Sequence, residues 1–155
     1  NIFMKKILLI LIFSFFLTNS GFALTKGKGE VIMSDRVLDH FTHYVWGNFD
    51  VDKSKVKVWA SRKNNPKSLL FIMSSDGEWS MAYFCPYSSC STKGAEDTIR
   101  DCERKTGVNC GVFALRKRIY WDNGINTSKN KAKVNRNMDA ERIKSLMISL
   151  GFYEE

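Results

Sequence analysis

Apolar residues in the middle of the chain fall into two short runs separated by a polar turn. Residues 69–73 form an unbroken apolar run, and apolar and polar side chains are mixed in residues 78–84. An Asp-Gly pair between two such runs is a strong hairpin signal, because a type I′ turn requires positive φ at both central residues. The pattern predicts an antiparallel hairpin with Asp76 and Gly77 at its tip. One face of the second strand would carry Trp79, Met81 and Tyr83.

A helical pattern follows the hairpin in residues 91–105. Its apolar residues recur at i, i+4 and i+7, which predicts one buried stripe made of Ala95, Ile99 and Cys102. We expect Ser91 or Thr92 to cap the first turn and Gly107 to end the helix. The exposed side would carry two i,i+4 charge pairs, Glu96–Arg100 and Asp101–Lys105.

Further strands and helices are predicted on both sides of this unit. Residues 110–115 and 118–121 predict two strands after the helix, and the alternation in residues 56–60 predicts one before the hairpin. Residues 34–46 predict an amphipathic helix capped by Ser34, with an apolar face of Val37, Leu38, Phe41, Tyr44 and Val45.

The C-terminal part divides into a polar stretch and a helix. Residues 126–137 are basic and polar, which predicts an exposed linker, and the sequon Asn126-Thr127-Ser128 within it is interpreted as an accidental match. A helix is expected from Asp139 to about residue 150, with Ile143, Leu146, Met147 and Leu150 on one face and Gly151 at its end.

The whole pattern predicts an α+β fold, a small and mostly antiparallel sheet of four to five strands with packed helices. The expected organisation is a disulfide-stapled domain at 24–125, a basic linker at 126–137 and a C-terminal helix at 138–155 that docks on the domain. Residues 25–30 are interpreted as a flexible lead-in, and residues 31–33 as a short edge strand.

The N-terminal 23 residues have the three regions of a secretory signal peptide. Met4 is interpreted as the start of translation, and Lys5 and Lys6 follow it as a positive region. Residues 7–17 are apolar apart from one serine, which is too short a run to span a membrane. Gly21 and Ala23 suit positions −3 and −1 of a cleavage site. We therefore expect a periplasmic or secreted protein with no membrane span after cleavage.

Four cysteines in a small exported chain predict disulfides. The preferred pairing is Cys85–Cys90 with Cys102–Cys110, and the crossed pairing of Cys85–Cys110 with Cys90–Cys102 stays open. Redox catalysis by Cys85 and Cys90 is a weaker hypothesis, because their spacing is not C-x-x-C. A structural zinc site is also disfavoured, because the spacing departs from that of paired zinc knuckles. We predict no metal and no cofactor.

The positive charge would suit an anionic partner, but solubility alone is the preferred interpretation, because the lysines are dispersed. The formal net charge is +8, and removing Lys5 and Lys6 with the signal peptide lowers it to +6. Aromatic and basic residues predict one candidate binding surface, made of Trp79, Tyr83, Arg116, Lys117, Arg118, Tyr120 and Trp121. The preferred interpretation of these aromatic side chains is nevertheless that they are core and cross-strand pairs. Neither a phosphate-binding glycine loop nor a nucleophile signature is evident, and we expect no nucleic-acid partner.

His40 and His43, the two histidines of the chain, lie at i and i+3 of the first predicted helix. Metal binding would need further ligands, and a structural or solvated role is the simpler interpretation.

A family resemblance comes from the cysteine pattern and the segments around it. The segments are Phe84-Cys85-Pro86, Cys90, Cys102-Glu103, residues 110–114, residues 118–126 and Leu150-Gly151-Phe152. Together they resemble small exported proteins of marine alphaproteobacteria that have no assigned function. The resemblance implies export and structural cysteines, and it implies no catalytic residue.

The leading functional hypothesis is a non-enzymatic binding module for an anionic envelope component or a protein partner. The alternatives are a small envelope enzyme, with redox chemistry at Cys85 and Cys90 or hydrolysis through His40 and His43, and a secreted hydrolase inhibitor.

Overall fold

The computed structural model describes residues 24–47, 67–85, 91–127 and 131–155. Within these residues the chain forms three helices and four strands: α1 (Asp35–Trp46), β1 (Lys67–Ser74), β2 (Ser80–Cys85), α2 (Ala95–Thr106), β3 (Cys110–Leu115), β4 (Arg118–Ile119) and α3 (Ala140–Ser149). The strands form one antiparallel sheet in the order β2-β1-β3-β4. The predicted α+β fold is therefore confirmed. The signal peptide, Cys90 and the strand predicted at 56–60 lie outside the described residues.

Helices cover both faces of the sheet, because side chains alternate along the central strands. Phe71 and Phe113 face α1 and α3, where the core includes Phe41, Tyr44, Ile143, Met147 and Phe152. Ile72 and Val112 face α2, where the core includes Leu70, Ala95, Ile99 and Cys102. The apolar faces predicted for α1 and for α2 are confirmed as buried. Helix α3 docks on the domain through Ile143 and Met147, which are fully buried.

Helix termini follow the glycine signals better than the hydroxyl signals. Gly47, Gly107 and Gly151 all adopt positive φ just beyond a helix, and the sequence predicted this role for Gly107 and Gly151. Helix α2 begins at Ala95 rather than near Ser91, and its cap position is held by Gly94. Ser34 does precede α1, but its hydroxyl donates to the carbonyl of Gly77 at 3.2 Å instead of capping the helix.

The β1–β2 hairpin is confirmed, but its turn is not the predicted type I′ turn. The amide of Gly77 donates to the carbonyl of Ser74 at 3.1 Å, and the amide of Ser74 donates to the carbonyl of Trp79 at 3.0 Å. Gly77 has a φ of 73°, whereas Asp76 has no positive φ. The Asp76 carboxylate instead accepts from the Ser74 hydroxyl at 2.5 Å and the Glu78 amide at 3.1 Å. These side-chain bonds favour a longer loop than two residues.

The segment before α1 is paired with the sheet and is not a flexible lead-in. The amide of Gly27 donates to the carbonyl of Val112 at 3.1 Å, and the amide of Val112 donates to the carbonyl of Thr25 at 2.8 Å. Residues 31–33 form no strand, but Met33 is buried and its amide donates to the carbonyl of Phe152 at 2.8 Å.

Residues 131–134 pair with β4, so this part of the predicted linker is not an exposed connection. The amide of Ile119 donates to the carbonyl of Ala132 at 2.9 Å, and Val134 is buried. Asn126 is only 1% exposed. Its side-chain amide donates to the carbonyls of Ile119 at 3.1 Å and Trp121 at 2.8 Å. A glycan on that nitrogen is incompatible with these bonds, which supports reading the sequon as accidental.

Candidate functional site

The β3–β4 hairpin carries the arginines of the candidate site on a turn of unusual backbone geometry. Arg116 and Lys117 have φ values of 46° and 70°, and Leu115 pairs with Arg118 on either side of them. Two consecutive positive φ values are the mark of a type I′ turn, which normally selects asparagine and glycine. No other non-glycine among the described residues has positive φ. The turn is held because the amide of Arg116 donates to the carbonyl of Leu69 at 2.8 Å.

An open groove of about 410 Å³ lies beside this turn. It is lined by Leu24, Thr92, Leu115, Arg116, Arg118 and Tyr120, and we call it the Tyr120 groove. Arg116 and Arg118 are exposed, so their guanidinium groups are accessible to a ligand. Leu24 and Leu115 are half-buried and give the groove an apolar component.

Two lysines add to the charge of the Tyr120 groove through the tyrosine ring itself. The Nζ atoms of Lys26 and Lys131 lie 5.2 and 3.8 Å from the centroid of the Tyr120 ring. Both distances fall within the range of cation–π attraction, which orients an ammonium group over the ring. Two lysines from separate segments therefore lie over the ring of a tyrosine whose groove is also lined by two arginines.

A carboxylate fixes the segment that brings Lys26 to the groove. Glu96 accepts from the Thr25 amide at 2.7 Å and from the Thr25 hydroxyl at 3.1 Å. Glu96 thus ties the N-terminal segment to α2 instead of pairing with Arg100 as predicted. Arg100 pairs with Asp97, and Arg104 pairs with Asp101 at the same i,i+3 spacing.

The structure brings together only part of the predicted binding surface. Arg116, Arg118 and Tyr120 line the Tyr120 groove, and Lys117 completes the adjacent turn. Trp121 is 1% exposed and lies in the core, where its Nε1 atom donates to the carbonyl of Gly29 at 2.8 Å.

Trp79 and Tyr83 lie apart from the groove, because β2 and β4 are at opposite edges of the sheet. Trp79 precedes β2 and packs against the core under α2, and the Tyr83 hydroxyl bonds to that of Thr98. The basic residues that sequence reasoning missed, Lys26 and Lys131, fall in stretches that were predicted to be a flexible lead-in and an exposed linker.

The two histidines lie in different environments. The Nδ1 atom of His40 is hydrogen-bonded to the Ser80 hydroxyl at 2.7 Å, which links α1 to β2. Burial lowers the pKa of His40, and the positive charge of His43 acts in the same direction. His43 lies 3.8 Å from the Asp39 carboxylate. Within the described ranges, no group of three or more histidine, cysteine or acidic side chains could hold a metal ion.

The cysteine prediction is confirmed for the bond between Cys102 and Cys110. This disulfide joins α2 to β3 with a Cα–Cα distance of 6.1 Å, and it excludes the crossed pairing. Both residues are buried, which suits a structural bond. Cys85 is also disulfide-bonded, and its predicted partner Cys90 lies outside the described residues.

The described helices are all too short or too polar to cross a membrane. No family model, curated protein or solved structure matches this chain.

Proposed function

We propose that the protein is an exported, non-enzymatic binding module that holds an anionic group of a cell-envelope component in the Tyr120 groove. The observation that carries this proposal is the combination of two lysines over the Tyr120 ring with two arginines that line the same groove as Tyr120. These positive charges are concentrated at one place in the fold, whereas charge that only keeps a protein soluble is dispersed over the surface.

The chemistry of the lining residues favours a phosphate or carboxylate group attached to an apolar or sugar-bearing body. Arginine forks bind such oxyanions through two parallel hydrogen bonds, and lysines add point charges around them. Leu24, Leu115 and the Tyr120 ring offer contacts to an acyl chain or a sugar ring. Anionic lipid head groups and phosphorylated glycans share this chemistry.

Export is the second part of the proposal. The signal-like pattern of residues 1–23 supports it, and a buried disulfide between Cys102 and Cys110 is typical of an oxidising compartment. We also propose a relation to small exported proteins of marine alphaproteobacteria, based on the cysteine pattern and the segments around it. Fractionation of producing cells, with intact mass of the exported chain, tests the compartment and the cleavage after Ala23 together.

Vesicle co-sedimentation tests the groove. Vesicles of phosphatidylglycerol should bind the chain, vesicles of phosphatidylcholine should not, and added salt should weaken the binding. The double variant Arg116→Asn, Arg118→Gln should weaken binding about thirtyfold, since each basic residue near an anionic surface contributes about 1 kcal/mol. Glycerol phosphate as a soluble competitor separates recognition of the head group from attraction to the charged surface.

The matched control is Arg100→Gln with Arg104→Gln, which removes the same charge from exposed positions of α2. If this control lost as much binding, the effect would come from net charge alone, and specific binding in the Tyr120 groove would be contradicted.

The enzymatic alternatives stay predictions. Insulin reduction that depends on Cys85 would favour a redox enzyme, and turnover that depends on His40 or His43 would favour a hydrolase. Inhibition of a purified hydrolase would favour the inhibitor hypothesis.

A further inference from the structure

A second groove, of about 710 Å³, is lined by the end of α3 and by residues from the segments 30–32, 123–125 and 151–155. Its apolar lining includes Ile32, Ile125 and Ile148, and we call it the Ile125 groove. These side chains are 41%, 60% and 38% exposed. They are three of the five large apolar side chains that are exposed within the described residues, the other two being Met81 and Tyr83 on β2. Clustered apolar exposure of this kind marks an interaction site more often than scattered exposure does.

The apolar floor of the Ile125 groove is held in place by hydrogen bonds of the Asn123 side chain. The Asn123 side chain donates to the carbonyl of Leu150 at 2.7 Å and accepts from the amide of Ile125 at 3.1 Å. A Cβ atom on Gly151 would lie 2.9 Å from the end of the Ile125 side chain. The site is therefore preformed, which lowers the entropic cost of binding a partner.

The rim of this groove is acidic in a chain whose net charge is positive. Glu30, Glu154 and Glu155 line it. Glu155 is paired with Lys144 at 3.2 Å, whereas Glu30 and Glu154 take part in no salt bridge in the part of the chain that the structure describes. An apolar floor with a negative rim is complementary to a segment that carries both apolar and basic side chains.

We propose that the Ile125 groove docks a cationic amphipathic segment of a partner protein. A second copy of this chain is a poorer occupant, because the net charge of +6 expected after removal of the signal peptide makes two copies repel each other. The site is separate from the Tyr120 groove. The two grooves share no lining residue.

Fluorescence anisotropy with a labelled amphipathic peptide of leucine and lysine tests the proposal on the mature chain. We expect saturable binding with one peptide per chain, and far weaker binding of a matched leucine–glutamate peptide. Ile125→Ser and Glu154→Lys should each weaken binding about tenfold, one by removing an apolar contact and the other by reversing a rim charge. Both residues are exposed, so circular dichroism of the two variants should match that of the parent.

Asp97→Lys is the control, because it makes the same charge change on α2, which packs on the opposite face of the sheet from α3. Equal weakening by Asp97→Lys, or equal binding of the glutamate peptide, would overturn the proposal. Self-association in analytical ultracentrifugation that Ile125→Ser abolishes would also overturn it, because the groove would then be an interface between copies. Vesicle binding through the Tyr120 groove should be unchanged in Ile125→Ser.

Discussion

Gly27 lies directly against the indole ring of Trp121, and a Cβ atom at Gly27 would be 1.7 Å from Cε3 of that ring. Because Trp121 is buried and its Nε1 atom is hydrogen-bonded, the ring cannot move aside without loss of core packing. Gly27→Ala should therefore lower the free energy of unfolding by about 3 kcal/mol, measured by urea denaturation.

Two neighbouring substitutions separate the steric clash from other effects. Gly29 has a φ of 98° with open space around its Cβ position, so Gly29→Ala should cost only the backbone strain of about 1 kcal/mol. Lys28→Ala, at an exposed position, should be close to neutral. If Gly27→Ala were no more destabilising than Gly29→Ala, the close approach of Gly27 to Trp121 would be contradicted.

The buried side chain of Asn126 is expected to be a major determinant of stability. Asn126→Ala would leave the carbonyls of Ile119 and Trp121 and the amide of Ala132 without their present partner. A buried polar group that loses its partner costs about 1–3 kcal/mol, so we expect a total loss of about 3 kcal/mol in thermal or urea unfolding. Asn137→Ala, at an exposed asparagine, is the control, and equal effects of the two substitutions would contradict this role.

Substitution of the turn residues Arg116 and Lys117 should raise stability and weaken binding. Replacing it by Asn-Gly, with Arg116→Asn and Lys117→Gly, gives the sequence that a type I′ turn favours. The backbone bonds of the turn are kept, so stability should rise by about 1 kcal/mol as the strain of positive φ is removed. Binding to phosphatidylglycerol vesicles should fall in the same variant. A fall in stability would contradict the strained geometry assigned to these residues.

Stability should depend on pH through His40. Burial lowers the pKa of His40 below 6.5, so between the folded and unfolded pKa values the unfolded chain binds more protons than the folded chain. The contribution of His40 to stability is therefore complete above pH 6.5 and is lost as the pH falls through the folded pKa. Melting temperatures across this range should show the loss in the parent chain and a flatter profile in His40→Gln.

The charge of His43 lowers the pKa of His40, in the same direction as burial. His43→Gln removes one positive charge that opposes protonation of His40, and the pH-dependent loss should become smaller but persist. If His43→Gln alone abolished it, the effect would belong to His43.

Elements with a regular period were predictable, because burial on one face leaves a repeat in the sequence. The stripe of Ala95, Ile99 and Cys102 gave α2 its correct buried face, and the spacing of Cys102 and Cys110 favoured the observed bond. The Asp-Gly signal located the β1–β2 hairpin but not its turn type. The Asp-Gly pair alone does not indicate the turn type, because the Asp76 carboxylate accepts two hydrogen bonds inside the loop and favours a different loop geometry.

The candidate site was predictable only where its residues are neighbours in sequence. Arg118 and Tyr120 alternate along one strand direction and share a side, Arg116 lies in the adjacent turn, and the same alternation puts Trp121 on the other side, in the core. Lys26 and Lys131 reach Tyr120 from distant segments. Their positions depend on backbone pairing with β3 and β4, and a polar segment carries no pattern that indicates such pairing.

The place of Leu24 in the Tyr120 groove has a consequence for maturation. Cleavage after Ala23, as the sequence predicts, would leave a new α-amino group on Leu24, next to the arginines. That group carries a positive charge below about pH 8, so processing itself would add one cation to the site. The precursor would then bind anions more weakly than the released protein, and the protease that frees the chain would also complete its groove.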